Sequence, residues 1–316
     1  MIINIIICFI GLYGLFYGGE KLVTGSVSTA SSFNVNPLFI AITIIALGTS
    51  FPELVVSINA VLDQSPGIAW GNVVGSNISN ILLVLGLASL ITPLFLKKEK
   101  STANIFWLFF SAILFFLICI GLKKISFLIG LSFILILVII ICHLIYISKV
   151  EKKSKQSINI KNNLSIRKSF FIIISGIMIL IISAELVVNS SVKIASIFGV
   201  NETFIGLTVI AIGTSLPEIA ASIVAVKKGH SEVVIGNVIG SNIFNTLGII
   251  GASAIFSVNG QFIVPKFFLI FDIPIMLIST LLFCLLIYYN GKISRSFGII
   301  FIMSYFLYIF LNLKLA

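Results

Sequence analysis

GTSFPE, at Gly48 to Glu53, interrupts an otherwise apolar run, and GTSLPE, at Gly213 to Glu218, repeats it 165 positions later. Each copy places a carboxylate in a stretch apolar enough to lie in lipid. An ionisable side chain at that depth costs at least ~2.5 kcal/mol and marks a functional site by default. Two such carboxylates, each preceded by a helix-breaking proline and two hydroxyl residues, predict a cation site shared between two halves of a membrane protein.

The surrounding sequence is also repeated. Aligned without gaps at the same offset, Glu20–Gly86 and Glu185–Gly251 agree at 33 of 67 positions. The chain is therefore a duplicated unit, the sequence mark of many secondary transporters. Of its 316 residues 59% are hydrophobic and 9% charged, against about 25% charged in soluble domains. A membrane span needs about 20 apolar residues. Ten such stretches can be read, at about 2–24, 37–62, 69–95, 103–122, 125–148, 169–197, 203–227, 232–256, 267–289 and 297–313. The predicted fold is an all-α integral membrane protein, with no room for a soluble catalytic domain and hence no enzyme.

The N-terminus runs directly into Ile2–Ile7 without a basic region or small-residue cleavage site, so the first stretch reads as a retained helix. Cys8, Cys119, Cys142 and Cys284 stand singly, with neither disulfide nor metal-ligand spacing. The net charge of +10 does not indicate nucleic acid, because the basic residues sit in short loops between spans.

Those loops orient the chain. A first five-helix repeat is expected over 1–148, a basic linker over 149–168 and a second repeat over 169–316. With the linker in the cytoplasm, 14 of the 20 Lys and Arg fall on that side. Lys123, Lys124, Lys266 and Lys314 lie opposite, and Lys21 and Lys193 fall within helices. The bias predicts a multi-pass protein of the plasma (inner) membrane with both termini outside. Five spans per half is an odd number, so the second half enters the bilayer upside down. Ten transmembrane helices then form two inverted five-helix repeats whose GTS-x-PE segments meet near the midplane.

Proline removes a helical hydrogen bond and clashes one turn back. Pro52 and Pro217 are thus expected to free backbone carbonyls near Ala46 and Ala211, tolerable in a membrane only inside protein or beside a wet cavity. Those carbonyls, the hydroxyls of Thr49, Ser50, Thr214 and Ser215 and the carboxylates of Glu53 and Glu218 make an all-oxygen set. Ca2+ takes about 6–8 oxygen ligands, whereas Zn2+ or copper would call for His or Cys. A second duplicated block follows, GNVVGSNISN (Gly71–Asn80) and GNVIGSNIFN (Gly236–Asn245). In a helix Ser76 and Asn80 share a face, as do Ser241 and Asn245, with Asn72 and Asn237 on the same stripes. Glu20 and Glu185 read as helix-positioning acids, Asp272 as a cap or surface acid, and His143 and His230 as helix-end residues.

With both blocks in hand, the chain resembles the sodium/calcium exchanger family of the wider cation/Ca2+ exchanger superfamily, over roughly 20–95 and 185–256. The resemblance implies alternating access at four clustered cation sites, with Ca2+ and Na+ as transported ions and no cofactor. It implies Glu53 and Glu218 as central Ca2+ ligands. The Ala46 and Ala211 carbonyls, with Thr49, Ser50, Thr214 and Ser215, would ligate Na+ or Ca2+, and Ser76, Asn80, Ser241 and Asn245 would complete the site. Some members of the family carry Asp where Asn245 stands. Asn cannot titrate, so the two carboxylates neutralise one Ca2+ and the case for K+ co-transport weakens.

The function so implied is a secondary antiporter exchanging Na+ for Ca2+. The alternative is an H+/Ca2+ or K+-dependent Na+/Ca2+ antiporter, with the four hydroxyls favouring Na+ because proton coupling needs only carboxylates. A multi-subunit channel fits less well, since one chain supplies both halves of a closed site. The lipid bilayer is the only further partner expected, with no obligatory protein.

Overall fold

The computed structural model describes residues 1–96, 98–154, 164–198, 211–257 and 261–315. The first half contains α1 (Ile2–Phe33), α2 (Pro37–Thr49), α3 (Phe51–Leu62), α4 (Pro66–Ile91), α5 (Lys98–Leu122) and α6 (Phe127–Ser154). The second contains α7 (Ile166–Ile197), α8 (Ala211–Thr214), α9 (Leu216–Lys227), α10 (Ser231–Ile255), α11 (Phe268–Asn290) and α12 (Arg295–Leu315). Among the described residues eight helices are long and apolar enough to cross a membrane, or nine if α2 and α3, bent by 42°, count as one span. The predicted span at 203–227 lies partly outside the described residues, which resume at Ala211.

Local sequence sets these boundaries. α1 runs past the predicted residue 24, because the small residues that follow still pack, and stops where Asn34 takes a left-handed conformation (φ 51). Asn36 then caps α2, its side chain accepting the Leu38 amide at 3.1 Å, with Pro37 at the first helical position. α6 and α7 both run into the stretch read as linker, reaching Ser154 and starting at Ile166.

α1 and α7 pack antiparallel through small residues. Gly11 faces Ser183, Gly18 faces Gly176 and Gly25 faces Ser169, and the Ser28 and Ser169 hydroxyls meet at 2.6 Å. A Cβ at Gly18 would stand 3.0 Å from the Gly176 carbonyl, so any side chain there would force the helices apart. The centre of the bundle is α4 and α10, whose membrane windows are 78% and 94% buried against at most 44% in the other long helices. α4 meets α12 at Gly86 and Gly298, and α10 meets α6 at Gly251 and Gly130. Gly240 of α10 lies directly under the Ile42 carbonyl of α2.

Short strands close the ends. β1 (Leu94–Phe95) pairs antiparallel with β4 (Lys292–Ile293), and β2 (Lys124–Ser126) with β3 (Gln261–Ile263). Buried Trp70 ties α4 to β3, donating to the Ile263 carbonyl at 2.8 Å and stacking on Phe262.

Candidate cation site

The α2–α3 break sits at Ser50 (φ −86, ψ 6), and its counterpart between α8 and α9 sits at Ser215 (φ −85, ψ 2). In each half the proline occupies one of the first two positions of the new helix, with the glutamate next. Glu53 and Glu218 therefore stand on helix N-termini, whose dipole favours negative charge. Both are 1% exposed.

The halves interlock around these acids. The Ser50 hydroxyl donates to Glu218 Oε1 at 3.4 Å, and the Thr49 hydroxyl reaches Asn237 Oδ1 at 3.2 Å. α3, which carries Glu53, packs on the π-helical turn Phe244–Ile249 that holds Asn245, and α9, which carries Glu218, packs on the turn Asn80–Val84 that holds Asn80. Such π-turns are rare and concentrate at functional sites.

Many oxygens here are buried without a partner: both of Glu53, Oε2 of Glu218, the hydroxyls of Ser76, Ser215 and Ser241, and the Oδ1 atoms of Asn80 and Asn245. An unmet buried acceptor costs about 1–3 kcal/mol, more when charged. Carboxylate, hydroxyl and amide oxygens left in this way are a donor set that a cation would satisfy. Among the described residues no group of three or more His, Cys, Asp or Glu could hold a metal. Hydroxyl, amide and carboxylate oxygens suit hard ions instead.

The Ala46 carbonyl, expected to be freed, accepts the Ser50 amide at 3.0 Å and the Thr49 hydroxyl at 3.4 Å. Proline withholds its donor from the residue four back, which is Gly48, so the gap in the ladder falls there. Ala211 opens α8 and Thr214 closes it.

Three asparagines absent from the expected ligand set hold the site together. Asn72 donates to the Glu53 carbonyl at 2.9 Å and the Ser57 hydroxyl at 2.8 Å. Asn242 accepts from Asn80 at 3.0 Å and donates to the Asn77 carbonyl at 3.1 Å, while Asn77 donates to Thr246 at 2.9 Å. Asn77 and Asn242 match between the repeats, so the duplication itself carried that signal. The other acids lie elsewhere. Glu20 pairs with Lys228 at 2.9 Å, in keeping with a positioning role. Asp272 is neither cap nor surface residue: it is 1% exposed and accepts from Tyr308 and Asn312, each at 2.8 Å, because the π-turn Phe268–Asp272 points it at α12. His143 accepts from Trp107 at 2.9 Å. His230 precedes α10, half-buried, and burial together with Lys228 lowers its pKa.

The chain is similar to known proteins over nearly its whole length. The sequence profile described as "Sodium/calcium exchanger protein" matches residues 3–146 and 168–314. A membrane protein of Methanocaldococcus jannaschii, MJ0091, is 35% identical over 303 residues, covering 94% of this chain and 93% of that protein. The sodium/calcium exchanger MaX1 of Methanosarcina acetivorans is 29% identical, with 96% of each chain covered. The solved structure of the sodium-calcium exchanger NCX_Mj, soaked with Na+ and Sr2+, superposes with a TM-score of 0.84 at 32% identity over 98% of both chains. The chain belongs to the sodium/calcium exchanger family.

Proposed function

We propose that the chain is a secondary antiporter exchanging Na+ for Ca2+ across the membrane by alternating access, with Glu53 and Glu218 as the central Ca2+ ligands. The observation that carries this reading is the pair of buried carboxylates from opposite halves, ringed by unpartnered oxygens. The hydroxyls of Thr49, Ser50, Thr214 and Ser215, the carbonyls of Ala46 and Ala211, and Ser76, Asn80, Ser241 and Asn245 complete the set. One Ca2+ neutralises the two carboxylates, and Na+ ions replace it at the hydroxyls. Exchange requires that the empty carrier moves poorly, and burying two bare carboxylates supplies that barrier.

The architecture is two five-helix repeats, 1–148 and 169–316, joined by a basic linker over 149–168 and inverted relative to each other. The strand pairs support the inversion. β1 lies between α4 and α5 and pairs with β4, between α11 and α12; β2, between α5 and α6, and β3, between α10 and α11, make the reciprocal pair. The antiparallel α1–α7 contact adds to it, since Gly11 meets Ser183 while their counterparts Gly176 and Gly18 meet each other. Loop charge favours both termini outside a plasma or inner membrane.

The test is Ca2+ uptake into Na+-loaded proteoliposomes. An outward Na+ gradient should drive accumulation, and a pH or K+ gradient alone should not. Flux driven by the pH gradient and indifferent to Na+ would overturn the assignment in favour of H+/Ca2+ exchange.

A further inference from the structure

Behind the site, on the membrane side of α2, lies an apolar groove of about 390 Å3 bounded by α2, α6, α7 and α10. That volume falls in the usual ~300–1,000 Å3 range of small-molecule sites. Its walls include Leu47, Ile140, Ile174, Ile177 and Phe244, and its floor reaches Gly48, next to Thr49. Ile177 fills the space that a Gly48 side chain would need.

One end of the groove is polar. At Leu144 it adjoins a small pocket lined by Asn36, Asn104 and Ser148. The Ser148 hydroxyl is 7% exposed and has no hydrogen-bond partner. On α7 the groove residues Phe170, Ile174 and Ile177 continue the stripe that begins at Arg167, three residues before Phe170. Residues at that spacing share one helix face. Arg167 is exposed, with exposed Lys168 beside it. The groove is thus apolar, with an unpartnered hydroxyl in the pocket that adjoins it and a cation one turn beyond it on α7.

We propose that this groove binds one anionic glycerophospholipid from the surrounding bilayer, with an acyl chain along α2 and α7 and its phosphate held by Arg167 and Ser148. The bound chain lies against the backbone that carries Thr49 and Ser50, so the lipid buttresses the ion site from behind. The proposal does not depend on which ions are exchanged.

The test is native mass spectrometry of the delipidated, detergent-solubilised protein titrated with phosphatidylglycerol or phosphatidylcholine. The wild type should retain one phosphatidylglycerol in preference to phosphatidylcholine. Arg167→Gln should lose that preference by about fivefold, the factor that corresponds to ~1 kcal/mol per basic residue at a membrane surface. Ile174→Trp should lose the retained lipid of either kind by filling the groove. Ile182→Trp, on an exposed stretch of the same helix outside the groove, should behave as wild type. Equal retention of both lipids by the wild type, or unchanged phosphatidylglycerol binding in Ile174→Trp, would overturn it.

Discussion

Ser50 Oγ of the first half donates to Glu218 Oε1 of the second at 3.4 Å, across 168 residues of sequence. The bond spans the two halves at the point where both helices break, so a hydroxyl of the first half holds the carboxylate of the second. Glu53→Gln and Glu218→Gln should each abolish Ca2+ flux while the protein stays folded in detergent, since an amide keeps the shape and loses the charge. Near-normal uptake in either variant would make that carboxylate structural.

Ser50→Ala should be graded. A hydrogen bond to a charged group contributes about 1.5–3 kcal/mol, so apparent Ca2+ affinity should fall by roughly tenfold or more with maximal flux less affected. Flux titrated against Ca2+ measures this, and unchanged affinity would remove Ser50 from the shell.

Asn242 should matter for stability before transport. It bridges Asn80 and the Asn77 carbonyl between the two central helices. Asn242→Ala leaves the Asn80 amide without its partner, at about 1–3 kcal/mol, and takes from the Asn77 carbonyl the second of its donors. Thermal unfolding in detergent should show a clear loss, with Ca2+ flux per folded molecule less reduced than in either glutamate variant.

An exposed ion pair that only one half possesses makes a control. Glu20 pairs with Lys228, which also donates to Thr24 at 2.9 Å, but the repeat counterparts of Glu20 and Lys228 are Glu185 and Asp63, which are both acidic. The attraction therefore exists on one side of the molecule alone. Lys228→Gln should change the ratio of forward to reverse exchange rates at low ionic strength and much less at high salt, because exposed pairs are screened. An equal effect on both directions would show no state bias.

Asp272 and Tyr308 occupy the positions that Trp107 and His143 hold in the first half, and each pair is hydrogen-bonded. The first half thus has no carboxylate at this position. Asp272→Asn should leave Ca2+ uptake within about twofold of wild type, measured in the same proteoliposomes; loss on the scale of Glu53→Gln would bring Asp272 into the ion path.

Much of this site was legible in the sequence because both halves print it. GTS-x-PE names the carboxylates, the hydroxyls and the helix break at once, since proline fixes where a helix must restart. The serine and asparagine stripe followed from helical spacing. The roles of Asn72, Asn77 and Asn242 were not legible: spacing shows a shared face, but not that Asn72 turns to the Glu53 carbonyl or that Asn77 and Asn242 meet across the bundle. Contrary to the expectation from the sequence, proline does not free the Ala46 carbonyl, because Thr49 and Ser50 fold back on it. Asp272 was misread because a π-turn at a span end rotates a side chain inward, and periodicity carries no trace of that.

The most direct measurement is anomalous X-ray diffraction from crystals of the protein soaked with Sr2+ as a Ca2+ substitute. The expected result is one strong peak between Glu53 and Glu218, within bonding distance of carboxylate oxygens from both, and absent in Glu53→Gln and Glu218→Gln crystals. A peak at only one carboxylate, or one that survives both substitutions, would contradict a divalent ion shared between the two halves.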